Sequence, residues 1–411
     1  MWQNQLIRIV SPIRERGVMM SEGNRCPETV FSFHIPSDVV FGDGEVERLP
    51  GIIRGLGSHH PLVLTGRTLC RTEVFRSIRG ILDSSGIRYG VYDRIEPEPP
   101  VESVGAAVDL ARSGGHDLMI GVGGGSTMDF TKAAAVIAPG EMDILDLVGR
   151  DRIIRKGLPT IMIPTTSGSG SEVSPVAIFT FAEEKVKKGI VSPHITPDAA
   201  IVDPELTHGL PPRVTADTGM DALIHAVESF LSVNANLLSE TLSLAAVGHI
   251  AGSLEKAVKN GRDAAARRMM SLGSLMAGMA FAMAGTAAVH ALAYPLGGEF
   301  HVPHGAANTV MLRQVMEFNL EGNSVKFARL ARSMSDDAEN IPDTDAAFLS
   351  IDRMTELARN IGVVTRIRDL GVPVSAIPGM AEAASKETRL LSNNPRPMNK
   401  KQIEEIYRKA W

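Results

Sequence analysis

The chain has 411 residues, 44% of them hydrophobic and 22% charged, which excludes a largely disordered polypeptide and exceeds the usual limit of one hydrophobic core. A net charge of −5 leaves no basic surplus for phosphates and excludes a dedicated nucleic-acid binder. Two cysteines, Cys26 and Cys70, form no thiolate cluster and fit a reducing, cytoplasmic setting. In chain order, residues 1–20 carry an apolar run only over Leu6–Val10, broken by Arg8. That is too short for a signal-peptide core, and the segment reads as a disordered extension. Residues 21–207 alternate strand and helix patterns. Strands are expected at His60–Thr65, Ile87–Tyr92, Asp117–Val122, Pro159–Pro164 and Ala199–Val202. Helices are expected at Thr72–Ser85, Val101–Ser113 and Thr127–Ile137. This alternation predicts an α/β domain with a mostly parallel sheet.

After Asp203-Pro204 the texture becomes helical. Residues 208–411 read as an all-helical domain, with segments at Asp217–Leu231, Ser239–Val258, Asp263–Met283, Ala288–Leu296, Ala306–Phe318, Ala346–Asn360 and Met380–Leu390. Leu275–Leu296 carries no charge and has the length of a membrane span. Its Gly285, His290 and Pro295 favour a buried helical pair instead, and no membrane partner is expected.

Three motifs carry chemistry. Gly121-Val-Gly123-Gly124-Gly125-Ser126 follows an apolar strand and opens a helix, a geometry that brings backbone N–H groups and a helix N-terminus to a pyrophosphate. Ser126 stands where the standard dinucleotide fingerprint has its third glycine, and Ser126 with Asp129 also reads as a capping box. A second polar loop, Thr165–Glu172 with Thr166 and Ser169, follows the strand at 159–164, on the sheet edge where ligands bind. Asp221 and His225 lie one helical turn apart, and His290 and His304 follow downstream. One carboxylate and three imidazoles suit Fe²⁺ or Zn²⁺. The structural alternatives are a Thr218–Asp221 capping box and a core histidine at 225.

The segments GGGSTMD (123–129), PTTSGSGSE (164–172), GMDALIHAVES (219–229) and VHALAYPLGGEFHVPHG (289–305) stand in this order, with NNPRPMNKKQIEEIYRKAW at the end. Together they resemble the iron-containing (group III) alcohol dehydrogenase family over residues 32–411. The resemblance implies the dehydroquinate synthase-like architecture, an α/β Rossmann-like N-terminal domain plus an all-α C-terminal domain. It also implies a cleft for NAD(P)(H) and Fe²⁺ (or Zn²⁺), a small alcohol or aldehyde substrate, and a homodimer or larger homo-oligomer. By the same resemblance the metal ligands are Asp221, His225, His290 and His304. The cofactor contacts are Gly123, Gly124, Gly125 and Ser126, with Asp129, Thr165, Thr166, Ser169 and Lys188, and Phe281 lines the substrate pocket.

Two positions depart from the family pattern. Tyr294 replaces a histidine usual near the substrate, so Tyr294 is expected to donate a hydrogen bond there and His301 to carry the proton. Gly66 replaces an aspartate common in NAD-preferring members. With Arg67 beside it, the strand end is expected to accept NADP(H). The competing readings are a related superfamily member, such as glycerol dehydrogenase or maleylacetate reductase, and a metal-dependent hydrolase.

Overall fold

The computed structural model describes residues 31–181, 183–184 and 186–411. The extension read over residues 1–20, and Cys26, lie outside the described residues. Among the described residues nine strands form: β1 (Asp38–Phe41), β2 (Pro61–Gly66), β3 (Gly90–Ile95), β4 (Leu118–Gly123), β5 (Gly149–Arg150), β6 (Thr160–Pro164), β7 (Val176–Phe181), β8 (Val186–Val191) and β9 (Ala199–Val202). Six make a sheet in the order β1-β9-β6-β4-β2-β3 with every pair parallel. The central strands β4 and β6 are unbroken apolar runs buried along their whole length, as a parallel sheet covered on both faces requires. The covering helices are α1 (Leu49–Gly55), α2 (Glu73–Ser84), α3 (Val104–Gly114) and α4 (Gly125–Ile137). Helix α2 buries one stripe, Phe75, Ile78, Ile81 and Leu82, and turns its charged face to water.

From β2 the chain steps outward to β3 and then back past β2 to β4. This reversal opens a crevice between the C-terminal ends of β2 and β4, the place where such sheets bind ligands. A smaller sheet, β5-β8-β7, holds an antiparallel hairpin that the sequence reading did not include. Its Lys187-Lys188-Gly189 core breaks the apolar alternation that marks a strand. The third strand also begins at Gly90, three residues later than expected.

Beyond Val202 the described residues contain helices and no strand. They are α5 (Pro212–Leu231), α6 (Leu237–Lys259), α7 (Ala264–Ala284), α8 (Ala288–Phe300), α9 (His304–Asn319), α10 (Ser324–Met334), α11 (Asp343–Asn360), α12 (Ile377–Ser385), α13 (Thr388–Leu391) and α14 (Lys400–Ala410). The uncharged stretch at 275–296 is indeed split between α7 and α8, which meet at a bend of 104°. Helix α6 is long and apolar enough to cross a membrane by composition; it packs against α5 and α7. The helix carrying Asp221 starts at Pro212, so Thr218 sits inside it. The Thr218 hydroxyl donates to the Val214 carbonyl (2.8 Å) instead of capping.

The C-terminal helix α14, absent from the sequence reading, buries Ile403, Ile406, Tyr407 and Ala410 against the helical core. The fully buried Tyr407 hydroxyl donates to the Leu292 carbonyl of α8 at 2.6 Å. Tyr407→Phe keeps the ring and deletes one buried bond. It should lower stability by about 1–2 kcal/mol in chemical denaturation, and an unchanged midpoint would mean that α14 holds α8 by packing alone.

Candidate metal and nucleotide site

Three helices bring the expected ligands together. Asp221 and His225 project from one face of α5, His290 from the first turn of α8, and His304 is the first residue of α9. The Nε2 atoms of His225, His290 and His304 lie 3.9, 3.7 and 3.7 Å from Asp221 Oδ1. Ligand atoms of Asp221, His290 and His304 all fall within 4.8 Å of one another. The His225 ring stacks on that of His290, centroids 4.8 Å apart. Asp221, His225 and His290 are buried, whereas the His304 side chain is 34% exposed and opens the cluster to one side. A glycine makes this convergence possible. A Cβ on Gly305 would lie 2.0 Å from the Asp217 carbonyl oxygen, so only glycine lets α9 start against α5.

Outer partners aim the imidazoles. His225 Nδ1 donates to the Gly168 carbonyl (3.1 Å) and His290 Nδ1 donates to Glu228 Oε2 (2.6 Å). Glu228, fully buried, also accepts from the Ala287 and Val289 amides (2.9 and 2.6 Å) and so caps the start of α8. Both rings therefore turn Nε2 toward Asp221. His290 Nε2 is buried and has no hydrogen-bond partner, the mark of a donor atom aimed at a cation. Asn308 Nδ2 donates to Asp221 Oδ1 at 2.7 Å.

The charges agree with this arrangement. Burial opposes ionisation of Asp221, but the facing imidazoles of His225, His304 and His290 hold its carboxyl far below the usual range. Burial also opposes a proton on His290, yet Asp221 and Glu228 hold its pKa up to about 9. Burial pushes His304 down to about 3 and His225 downward as well. One carboxylate and three imidazoles converging on one point suit a divalent Fe or Zn ion, and the residues present fit it.

The nucleotide side occupies the β2/β4 crevice. Helix α4 starts at Gly125 with Gly124 as its N-cap. A Cβ on Gly124 would lie 3.3 Å from Thr166 Oγ1, and one on Gly125 would lie 2.7 Å from Ser169 Cβ. The glycine loop and the Thr165–Ser169 loop thus touch, joined by the Thr165 amide donating to the Gly123 carbonyl (2.9 Å). The Ser126–Asp129 capping box does not form. Ser126 Oγ accepts from the Glu98 amide (3.0 Å), and Asp129 bonds the Ser171 hydroxyl and the Ile178 amide. Asp129 is a tie between loop and hairpin, since both of its oxygens are engaged within the protein. Beneath it the buried Lys132 amine donates to the carbonyls of Ser171, Ser174 and Val176. Burial pushes Lys132 down and raises the neighbouring Glu172 to about 7. Gly66 ends β2 across the crevice, with Arg67 exposed beside it.

Lys188 lies elsewhere than expected. It pairs with Glu184 (2.6 Å) over the Phe181 ring, on the face of the hairpin opposite to that of Lys187. Strand alternation turns its neighbour Lys187 inward instead: Lys187 is buried, pairs with Glu98 (2.8 Å), and has Nζ 3.1 Å from where a Cβ on Gly297 of α8 would sit. Phe281 places its ring centroid 4.7 Å from that of His225, and Tyr294 lies 6.4 Å from His304 by the same measure. His301 is exposed at the left-handed end of α8, φ 54°. Sequence reasoning missed Glu228, Asn308 and Lys187. The first two carried a signal: Glu228 is three residues after His225 and Asn308 four after His304, on the faces already in use.

A parallel sheet with a glycine loop at its reversal point, joined to helices that carry a carboxylate–imidazole cluster, defines a nucleotide-dependent, metal-assisted oxidoreductase. The model of iron-containing alcohol dehydrogenase matches residues 36–204, and that of the Fe-containing alcohol dehydrogenase family, C-terminal, matches residues 215–411. The chain is 40% identical over 373 residues to long-chain-alcohol dehydrogenase 1 of Geobacillus thermodenitrificans, covering 90% of this chain and 94% of that protein. A crystal structure of 1,3-propanediol oxidoreductase superposes with a TM-score of 0.90 at 35% identity, over 93% of this chain and 100% of that one. A sulfoacetaldehyde reductase from Bifidobacterium kashiwanohense, solved with NAD⁺, superposes with a TM-score of 0.84 at 29% identity, over 93% and 99%. The chain belongs to the iron-containing alcohol dehydrogenase family and is an oxidoreductase of the alcohol–aldehyde class.

Glu228 offers only acceptors to three donors. Glu228→Gln sets an amide N–H against one of them and frees His290 to rotate. Metal affinity should fall by about ten- to a hundred-fold in a competitive chelator titration, and an affinity equal to wild type would deny Glu228 its aiming role.

Proposed function

We propose that this protein transfers hydride between NAD(P)(H) and a small primary alcohol, hydroxy acid or the matching aldehyde at the Asp221/His225/His290/His304 cluster. The observation that supports it best is the shared loop: Thr166 and Ser169 touch the glycine loop, while Gly168 of the same loop fixes His225. The nucleotide and the cation are thereby held side by side. When bound, a divalent iron supplies Lewis-acid polarisation of the substrate oxygen and the nicotinamide gives or takes the hydride.

The chain's own groups do the positioning. Asp221 and the three imidazoles hold the cation and leave it net positive. The amides at the start of α4 hold the pyrophosphate, with the hydroxyls of Thr166 and Ser169 alongside. Phe281 and Tyr294 wall the substrate and exclude water. The Tyr294 phenol, kept protonated by burial, donates a hydrogen bond and serves poorly as a base. Proton exit then falls to the exposed His301, three residues before His304. A nucleotide domain ending near residue 207 and a metal domain from 208 belong to the same reading, supported by the last strand ending at Val202 and the first long helix starting at Pro212. A homo-oligomeric assembly also belongs to it, on the family resemblance.

The test is an alcohol and aldehyde panel with NADH and NADPH on protein reloaded separately with Fe²⁺ and Zn²⁺. Turnover requiring the metal and a nicotinamide is expected, and metal-dependent hydrolysis without any nicotinamide would overturn the reading. Gly66 offers no carboxylate to repel a 2′-phosphate, so NADP(H) should be accepted at least comparably to NAD(H). Gly66→Asp should swing the preference toward NAD(H) by about 1–3 kcal/mol in kcat/KM. Its Cβ would lie 3.1 Å from the Ile95 carbonyl, which must shift by a few tenths of an ångström. Strong rejection of NADP(H) by the wild type would sink the account of this strand end. His301→Ala should flatten the acidic limb of the pH–rate profile, whereas an identical profile removes His301 from the proton route.

A further inference from the structure

Among the described residues, Arg389 is a cation near the cleft that hydride transfer does not use. Arg389 comes from α13 and lies across β8, where a Cβ on Gly189 would sit 3.7 Å from its Nη2. Helix α13 packs against α8, and the Arg389 guanidinium and the Glu387 carboxyl are the charged groups that act most strongly on the Tyr294 phenol. Tyr294 in turn stands one helical turn after His290, with its ring beside His304. A path from the metal cluster across Tyr294 therefore ends on Arg389.

The charges around it are already matched, and Arg389 is the exception. Lys187 is paired with Glu98 and Lys188 with Glu184. Among the described residues no carboxylate lies within ion-pair distance of Arg389. Glu387, its nearest acid in sequence, is pushed toward its neutral form by burial, against the pull of Arg389 and Lys188. A guanidinium is always charged, and its planar fork matches a carboxylate, sulfonate or phosphonate in two parallel hydrogen bonds. The Tyr294 hydroxyl, which burial keeps protonated, adds a further donor beside it.

Resting on the hydride-transfer reading of the cleft, we propose that Arg389 and the Tyr294 hydroxyl form an anion-binding subsite that selects alcohols and aldehydes bearing a carboxylate, sulfonate or phosphonate a short chain away from the reacting carbon. A neutral aliphatic alcohol of equal length leaves the guanidinium without a partner.

The experiment compares 4-hydroxybutanoate and 3-hydroxypropane-1-sulfonate with 1-butanol on the iron-loaded holoenzyme, as wild type, Arg389→Met, Arg389→Lys and Tyr294→Phe. The wild type should favour the anionic substrates. Arg389→Met should cut the anion-to-neutral ratio of kcat/KM by about ten- to a hundred-fold, mostly through the KM of the anion. Tyr294→Phe should cut it less, and Arg389→Lys should restore part of it. Calorimetric binding of butanoate should weaken in parallel in Arg389→Met, a readout independent of turnover. A wild type with no preference for the anions, or an Arg389→Met protein with an unchanged ratio, would overturn the subsite. A rise in the nicotinamide KM in place of the anion KM would also overturn it, by assigning Arg389 to the cofactor. Absence of any alcohol or aldehyde turnover with either nicotinamide would instead overturn the hydride-transfer reading, and this subsite with it.

Discussion

The helical half is organised by one carboxylate held out of water. Asp221 is 7% exposed, and a lone negative charge at such depth is strongly unfavourable unless neighbours compensate it. The groups that face it come from three different helices: His225 on α5 itself, the proton-holding His290 on α8 and His304 on α9, with the Asn308 amide donating directly. Each of those helices must then be placed to within a side chain's reach of Asp221. The close approach at Gly305 and the Glu228 cap on α8 are the means by which the backbone satisfies that demand.

The second carboxylate, Glu228, divides the labour. Asp221 faces the point where a cation fits, and Glu228 stands behind His290 and sets its ring. A comparable strut reaches the other half of the molecule through Gly168, whose carbonyl accepts a hydrogen bond from His225 Nδ1. The loop that holds Gly168 is itself braced from below by Lys132, with three carbonyls around one buried amine, and by Asp129. Rigid support of this kind is what keeps a reacting geometry within the tolerance that chemistry needs.

Much of this was legible in the residues. The β2, β4, β6 and β9 runs announce themselves because a strand buried on both faces must be apolar throughout, and Asp221-x-x-x-His225 needs only the helical period to be read as one face. His290 and His304 were candidates by residue type, and ordered motifs that resemble a known family then implied their convergence, which no local rule contains. What stayed hidden has physical causes. The β7–β8 hairpin carries Lys187, Lys188 and Gly189 in the middle of β8, with the two lysines on opposite faces, so its alternation looks like none. The same one-residue parity decides which lysine turns toward α8, and it turns Lys187, whereas the family resemblance implied Lys188. Ser126 and Asp129 have the spacing of a capping box, but Glu98, Ser171 and Ile178 compete for their side chains from segments distant in sequence. Arg389 carried no local signal, because its place beside Tyr294 depends on how α13 folds back over β8.

The pairing of β1 with β9 bears on how the molecule is made. Among the described residues Asp38–Phe41 has Ala199–Val202 as its one sheet partner, so this edge of the sheet closes only across nearly the entire α/β half. The helical half repeats the theme, since α8, which carries His290, is anchored by Tyr407 from 115 residues further along the chain. Both closures are long-range, and the cleft lies between them. The site therefore depends on contacts between segments distant in sequence, which raises the entropic cost of reaching it.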